Sequence, residues 1–137
     1  QAVIAAAERP GVLLDAVEGV AGVGTIIRPH ERRLSARKLW IAFAVASSGT
    51  VVVDDGARTA LVDRRTSLLP AGVVAVEGSF EAEDAVEIAG LDGRVFAKGL
   101  VRHPATRVKD WAGRRSSALP PDMAHEVVHR DDLVVLP

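Results

Sequence analysis

The stretch from Val51 to Phe80, VVVDDGARTALVDRRTSLLPAGVVAVEGSF, constrains the fold more than any other part of the chain. Its three consecutive valines predict a short buried strand, since β-branched residues pack well in sheets. Asp54 follows, and its carboxylate can accept hydrogen bonds from the free N–H groups that begin a helix. A loop that ends in Pro70-Ala71-Gly72 stops the helical pattern, and a second valine-rich strand begins at Val73. The stretch therefore predicts a strand–helix–loop–strand unit.

Composition limits what surrounds this unit. The chain has 137 residues, of which 48% are hydrophobic, enough for one sizeable core. A net charge of −1 argues against a strongly electrostatic nucleic-acid or membrane binder, and no apolar run reaches the roughly 20 residues of a membrane-spanning helix. There is no cysteine, which excludes a disulfide framework and is compatible with a reducing cytoplasm. Because Met123 is the only methionine, we expect the chain to be a piece of a longer protein.

The first residues predict an α/β segment. Val3–Ala7 is typical of a buried strand, Pro10 suits the first position of a helix, and Gly19 suits its end. The predicted apolar face of this helix comprises Val12, Leu13, Ala16 and Val17. Gly19 to Gly24 fits G-x-x-x-x-G, but Thr25 stands where a phosphate loop needs lysine. We therefore favour a helix end and a flexible connection over a phosphate site.

A basic stretch runs from Arg28 to Lys38. Its charged members are Arg28, Arg32, Arg33, Arg37 and Lys38, with His30 among them and Glu31 opposing. Ser35 can cap a helix with apolar members Leu39, Trp40, Phe43 and Ala44. One interpretation is a solvated charged face on a helix that Trp40 buries. The other is an anion-facing patch that meets RNA, a phosphate-bearing ligand or an acidic partner.

An acidic stretch follows the organising unit. Its carboxylates are Glu77, Glu81, Glu83, Asp84, Glu87 and Asp92. Val86 and Ile88 alternate with their neighbours, which predicts a half-buried strand, and Asp92-Gly93 predicts a hairpin turn into a partner strand over 94–101. Phe96, Lys98 and Leu100 are predicted to share one face of that strand. Since no histidine stands at ligand spacing, the carboxylates predict a solvated sheet edge rather than a metal site.

The C-terminal part predicts a short helix over 106–112, ended by Gly113, and then two short strands around a charged bend within 126–136. His125-Glu126-Val127-Val128-His129 satisfies the H-E-x-x-H pattern of zinc peptidases. That pattern binds zinc only on a helix, because two residues four apart on a strand are separated by about 13 Å, at roughly 3.3 Å per residue. Val127 and Val128 favour a strand, so we expect no metal site.

Three runs resemble the opening of a PUA domain, a small pseudo-barrel known from RNA-modifying enzymes. They are Val53–Ala57, Ser67–Val73 and Glu77–Phe80. The fold class that this resemblance implies is mixed α+β and β-rich, a PUA-like pseudo-barrel with short flanking helices.

The wider chain resembles the C-terminal end of the bacterial glutamate 5-kinase family. The motifs that carry this resemblance are Ile4-Ala5-Ala6, Arg9-Pro10-Gly11-Val12, Val23-Gly24-Thr25, Ala36-Arg37-Lys38-Leu39-Trp40-Ile41, Ala112–Ser117 and Val128–Leu133. Ala7, Ile27 and His103 depart from the family pattern at positions that concern packing. The resemblance implies that residues 1–28 are a remnant of an amino-acid kinase domain with its connection, residues 29–50 a linker helix and residues 51–137 the PUA domain.

The family transfers the γ-phosphoryl group of ATP to the side-chain carboxylate of L-glutamate for proline synthesis in the cytoplasm. Such chemistry needs a nucleotide-cradling loop, a lysine and Mg²⁺. The resemblance places these parts upstream of Gln1, so it implies no catalytic, cofactor-binding or metal residue here, and we expect the chain alone to be inactive.

Two hypotheses follow for what the chain contributes. In the first it is a structural and regulatory module that packs on its own kinase domain and on a second subunit. In the second it binds RNA, as other PUA domains do. The basic residues that the resemblance assigns to that face are Arg58, Arg64, Arg65, Lys98 and Arg102.

Overall fold

The computed structural model describes residues 2–27 and 34–137 of the chain, and Arg28, His30, Arg32 and Arg33 of the basic stretch lie outside these ranges. The chain divides into two compact units, one up to residue 33 and one from residue 34 onward. The assignment of residues 1–28, 29–50 and 51–137 to a kinase remnant, a linker and a PUA domain stays a prediction.

The described residues of the first unit, 2–27, form β1 (Ala2–Ala5), α1 (Val12–Glu18) and β2 (Gly24–Ile27). β1 and β2 pair in an antiparallel ribbon. Gly19 adopts a left-handed φ of 72° and ends α1, which confirms the predicted helix end. The helix begins after Gly11, two residues later than the predicted start at Pro10.

The predicted apolar face of α1 is present in sequence but uncovered in the structure. Of the residues in α1, all of which are described, Val12 alone is buried, whereas Leu13 and Val17 are 80% and 86% exposed. The predicted buried strand is wrong in the same way, because Ile4 of β1 is 64% exposed. A two-stranded ribbon offers too little surface to cover a helix.

The second unit contains three α-helices and five strands. They are α2 (Ala36–Phe43), β3 (Gly49–Val53), α3 (Asp55–Val62), β4 (Val73–Gly78), β5 (Ala85–Ala89), β6 (Val95–Val101), α4 (Ala105–Trp111) and β7 (Val128–Val135). The strands form one five-stranded sheet in the order β4-β3-β5-β6-β7. β3 and β5 are parallel and the other pairs antiparallel. A bridge between Leu68 and Val128 joins the loop before β4 to the opposite edge of the sheet. This connection confirms the β-rich pseudo-barrel.

The organising strand–helix–loop–strand unit is confirmed as β3, α3, a 3-10 turn over Pro70–Gly72, and β4. Asp54 begins α3, and its Oδ1 accepts a hydrogen bond of 2.7 Å from the Ala57 N–H. The Asp54 N–H in turn donates to the Gly72 carbonyl at 3.0 Å, which ties the start of the helix to the end of the loop.

The prediction of a half-buried edge strand in the acidic stretch is wrong. β5 lies between β3 and β6, and both of its faces are covered. Val86 and Ile88 enter the main core between the sheet and α3 and α4, whereas Ala85 packs in a second, smaller core. β5 carries one carboxylate, that of Glu87, and this side chain is only partly exposed. Short alternation in sequence did not reveal that a helix covers the second face.

β6 also differs from its predicted pattern. The hairpin turn at Asp92-Gly93 is confirmed, with Gly93 at a φ of 76°. A register shift between Ile88 and Ala89 of the facing strand separates Phe96 from Lys98. Phe96 packs in the main core, so it does not share a face with Lys98 and Leu100, as predicted.

The C-terminal part forms the predicted helix, α4, which is ended by Gly113 at a φ of 76°. The predicted pair of short strands is wrong, because β7 is one strand. β7 pairs with β6 at Val128 and again from Leu133 to Val135, and the register shift between Gly99 and Val101 leaves the charged residues 129–132 bulged out between these two points. None of the helices that the structure describes has both the length and the apolar character needed to cross a bilayer.

Candidate functional site

α2 is seated on the sheet by Ile41. Ile41 is fully buried in the second core with Ala85, Leu100 and Val134. Ser35 caps the helix as predicted, accepting a hydrogen bond of 3.3 Å from the Lys38 N–H. α2 therefore covers the outer face of β5, β6 and β7.

Polar contacts hold α2 in the same orientation. Arg37 Nε lies 2.7 Å from Asp132 Oδ1, and Lys38 Nζ donates to the Arg130 carbonyl at 3.2 Å. An exposed ion pair stabilises by about 0–1 kcal/mol, so these contacts orient the helix more than they strengthen the fold. Of the basic stretch, the two described cations are thus engaged with β7, which supports the charged-face interpretation over the anion-facing one.

The opposite side of α2 is apolar and uncovered. Trp40 is 51% exposed, Phe43 is 70% exposed and Leu39 is 46% exposed. The prediction that Trp40 buries the helix is therefore wrong. Successive helical residues lie about 100° apart, so seating Ile41 on the sheet turns Trp40 and Phe43 away from it.

Arg58 lies on α3 above the hairpin between β5 and β6. Its guanidinium stands 5.1 Å from the centroid of the Phe96 ring, and its Nη1 lies 3.5 Å from Asp92 Oδ2. The hydrogen bond from the Arg94 N–H and the nearby Arg58 guanidinium hold the pKa of Asp92 below its ordinary value. Arg58 is consequently engaged within the fold on two sides.

Lys98 and Arg102 are engaged as well. Lys98 is buried, and its Nζ donates to the Val45 carbonyl beneath the segment that follows α2. Arg102 lies 3.9 Å from Glu126. The structure does not place Lys98 on a surface with the other four predicted residues.

The remaining predicted residues, Arg64 and Arg65, are exposed in the turn after α3. Arg65 has a φ of 51°, so its backbone is in the left-handed region. The Arg130 N–H donates to Ser67 Oγ at 2.9 Å, which brings a third exposed arginine beside this turn. Sequence reasoning missed Arg130, because its position depends on the long-range bridge between Leu68 and Val128. We call Arg64, Arg65 and Arg130 together the arginine turn.

The histidines of the H-E-x-x-H pattern do not lie on a helix. His125 is in a loop with Nε2 donating to the Pro120 carbonyl at 2.6 Å, and His129 belongs to β7. Within residues 2–27 and 34–137, no group of three or more His, Cys, Asp or Glu side chains is placed to hold a metal ion.

A buried histidine occupies the space behind α4. His103 is 7% exposed, donates from Nε2 to the Ala124 carbonyl at 2.8 Å, and packs edge-on against Trp111 with a centroid distance of 4.9 Å. Burial lowers the pKa of His103 below its ordinary value. His125 packs on the same indole, so these contacts fasten the loop before β7 to α4.

The chain is similar to a known domain family and to longer proteins that contain it. The family model described as PUA domain matches residues 49–120. The glutamate 5-kinase of Mycolicibacterium vanbaalenii is 41% identical over 133 residues, covering 97% of this chain and 35% of that protein. The glutamate 5-kinase of Streptomyces avermitilis is 44% identical, covering 98% of this chain and 38% of that protein. The chain thus spans about a third of the length of the curated relatives it matches, in their C-terminal part.

Among solved structures, a PUA domain from Aeropyrum pernix K1, crystallised as a tartrate complex, is 30% identical to this chain. The TM-score is 0.46, and the match covers 66% of this chain and 48% of that one.

Proposed function

The chain belongs to the PUA domain family, and we propose that it is the C-terminal part of a glutamate 5-kinase, where it serves as a structural and regulatory module. The parent enzyme transfers the γ-phosphoryl group of ATP, with Mg²⁺, to the side-chain carboxylate of L-glutamate in the cytoplasm. The observation that carries this proposal is the extent of the similarity. It covers 97% of the chain at 41% identity and so includes residues outside the PUA match.

The first unit supports the same proposal. Leu13 and Val17 project an apolar surface from α1 that the described residues of the unit leave open. An amphipathic helix with an open apolar face is stable when a larger sheet covers it. Residues 1–28 therefore suit the edge of a larger domain, which we identify as the kinase domain.

The catalytic parts belong to that kinase domain, and the chain itself acts on assembly and regulation. Its partners are its own kinase domain and a second subunit. The test is a full-length parent enzyme compared with one that ends at residue 33. We expect both to form glutamyl 5-phosphate from ATP and glutamate, with altered oligomeric state or feedback response in the shorter one. The isolated chain should form no product.

Unchanged assembly, kinetics and feedback in the shortened enzyme would refute the regulatory role. Glutamyl phosphate formation by the isolated 137-residue chain would refute the assignment of catalysis to the missing part. Absence of kinase activity in the full-length parent would refute the assignment of the enzyme.

A second candidate function, RNA binding, rests on the arginine turn. Arg64, Arg65 and Arg130 are all exposed, and a bond from the Arg130 backbone N–H to Ser67 Oγ brings the backbone of Arg130 close to the turn. Exposed arginines commonly contact phosphates. The measurement is fluorescence anisotropy with a labelled single-stranded RNA between 50 and 200 mM salt. Replacing Arg64 and Arg65 with alanine should weaken binding and lower the salt slope by about 1.4, at roughly 0.7 per phosphate contact.

The matched control replaces Arg114 and Arg115, two exposed arginines after α4, with alanine. Equal weakening by the control pair would show that only net charge matters. Absence of binding at 50 mM salt would end the RNA hypothesis.

A further inference from the structure

We propose that the outward face of α2, formed by Leu39, Trp40 and Phe43, is the surface by which this module docks on the catalytic part of its parent polypeptide. This inference rests on the proposed function. The three side chains are 46%, 51% and 70% exposed. Scattered exposed apolar residues are ordinary, but a helix that is apolar on both sides is typical of one covered from both sides.

The inward side of α2 is already fully used. Ile41 is buried in the second core, and Ala42 and Val45 pack against it. Turning the helix to hide Trp40 would pull Ile41 out of this core and expose a fully buried aliphatic side chain to water. The outward aromatic face is therefore a stable feature of the fold.

The orientation of this apolar face is also fixed before any partner binds. The ion pair between Arg37 and Asp132 and the bond from Lys38 to the Arg130 carbonyl hold α2 against β7 at two points. A surface whose orientation is set in advance loses less entropy when it binds. Neither ion-pair partner belongs to the apolar face, so docking there leaves these contacts intact.

The size of the face decides between two occupants. Two aromatic side chains bury about 150–250 Å² each when fully covered, and here Trp40 is 51% and Phe43 70% exposed. The open area is therefore a few hundred Å² at most. A stable dimer interface needs about 800 Å² per partner, which this face does not supply by itself.

A partner joined to the same polypeptide needs a much smaller interface area. A domain joined by a short connection is present at an effective concentration in the millimolar range, so a weak apolar contact suffices. The relatives are about three times as long as this chain, and the match lies in their C-terminal part. α2 begins at Ala36, early in the second unit. The occupant is accordingly the region of the catalytic domain that lies outside these 137 residues.

Hydroxyl-radical footprinting with mass spectrometry tests this directly, because Trp40 and Phe43 are readily oxidised when exposed. Both the 137-residue chain and the full-length parent are measured. We expect several-fold slower oxidation of Trp40 and Phe43 in the parent. Leu91 and Val74, which are 58% and 54% exposed elsewhere on the second unit, serve as matched controls and should react alike in both.

A variant pair gives a second readout in the full-length parent. Trp40→Gln with Phe43→Gln should separate the unfolding of this module from that of the catalytic part in calorimetry. Val74→Gln with Leu91→Gln should leave a single transition. Circular dichroism of the isolated chain checks that either pair preserves the fold.

Equal oxidation of Trp40 and Phe43 in both proteins would overturn the proposal. Protection that appears in the isolated chain as its concentration rises would identify a second copy as the occupant and also overturn it. An inactive parent with both residues protected would refute the proposed kinase function while leaving the docking surface in place. An active parent without protection would refute the docking surface alone.

Discussion

Replacing Asp54 with alanine removes the side chain that begins α3, at the centre of the unit that organises the fold. In the structure Asp54 has an extended backbone (φ −74°, ψ 171°), and its Oδ1 accepts from the Ala57 N–H at 2.7 Å. Alanine offers no acceptor, so one helical N–H loses its partner in a partly buried position. The backbone bond from the Asp54 N–H to the Gly72 carbonyl is unaffected by the substitution.

The expected loss of stability follows from this single bond. Replacing an N-cap aspartate with alanine costs about 1 kcal/mol, within a range of 0.5–2. Partial burial hinders water from replacing the lost acceptor, so we expect the upper half of that range. In a domain of about 100 residues, each 1 kcal/mol lowers Tm by roughly 4–8 °C.

Urea unfolding of the 137-residue chain measures the effect, with Trp111 as the fluorescent reporter of the second unit. Trp111 is 5% exposed, and a Trp40→Phe background removes the signal of the exposed indole. Asp54→Ser is the matched control, because serine caps helices about as well as aspartate. It should restore most of the lost stability at an unchanged m value. Equal loss in the serine and alanine variants would refute the capping argument and point to charge instead.

Three more outcomes follow from the packing. Gly49→Ala should destabilise the second unit by about 1–3 kcal/mol in urea unfolding, because a Cβ there would lie 2.5 Å from the Glu77 carbonyl oxygen and 2.9 Å from the Phe80 ring; unchanged stability would contradict this. Gly113→Ala should cost about 1–2 kcal/mol, since its φ of 76° is left-handed, and Gly113→Asn should cost less. Burial lowers the pKa of folded His103, so the unfolded chain takes up its proton first as pH falls below about 6.5. Stability should therefore fall from that pH until the lowered folded pKa is passed, and His103→Gln, compared with wild type from pH 7 to 5, should remove this component; parallel pH profiles would refute it.

The parts of the fold that sequence predicted correctly are those decided by neighbouring residues. Asp54 begins α3, Gly19 ends α1, and Gly113 ends α4, as their local chemistry predicts. Each depends on a side-chain acceptor or on a left-handed backbone angle within a few positions. Such signals do not require knowledge of what packs against the element.

The sequence did not predict the buried face correctly in elements where several faces are equally apolar. In α2 the apolar residues include Leu39, Trp40, Ile41 and Phe43, so they cover most of the circumference of a short helix. Periodicity could not select Ile41 as the buried member, and the large indole of Trp40 was the natural but wrong choice. In β5, likewise, alternation indicated one buried face, whereas α2 covers the other.

The five basic residues predicted to face RNA do not all share one surface, for a related reason. The family resemblance assigned Lys98 to an RNA-facing set by its position along the chain, but the face of β6 that carries it lies beneath α2. Arg130 joined Arg64 and Arg65 only through a bridge between segments some sixty residues apart, Leu68 and Val128. Long-range pairings of this kind leave no mark in a single sequence.

The packing of α2 also determines how the module must be cut from its parent. The family match begins at residue 49, yet the compact second unit begins at residue 34 and its second core contains Ile41. A truncation at residue 50 would expose the seat of Ile41 on β5, β6 and β7 and would leave Lys98 without the Val45 carbonyl that accepts its hydrogen bond. Such a cut would disturb the fold itself, so it could not test the regulatory role that we propose. A cut before residue 34 preserves the core, so only that boundary separates lost regulation from a disturbed fold.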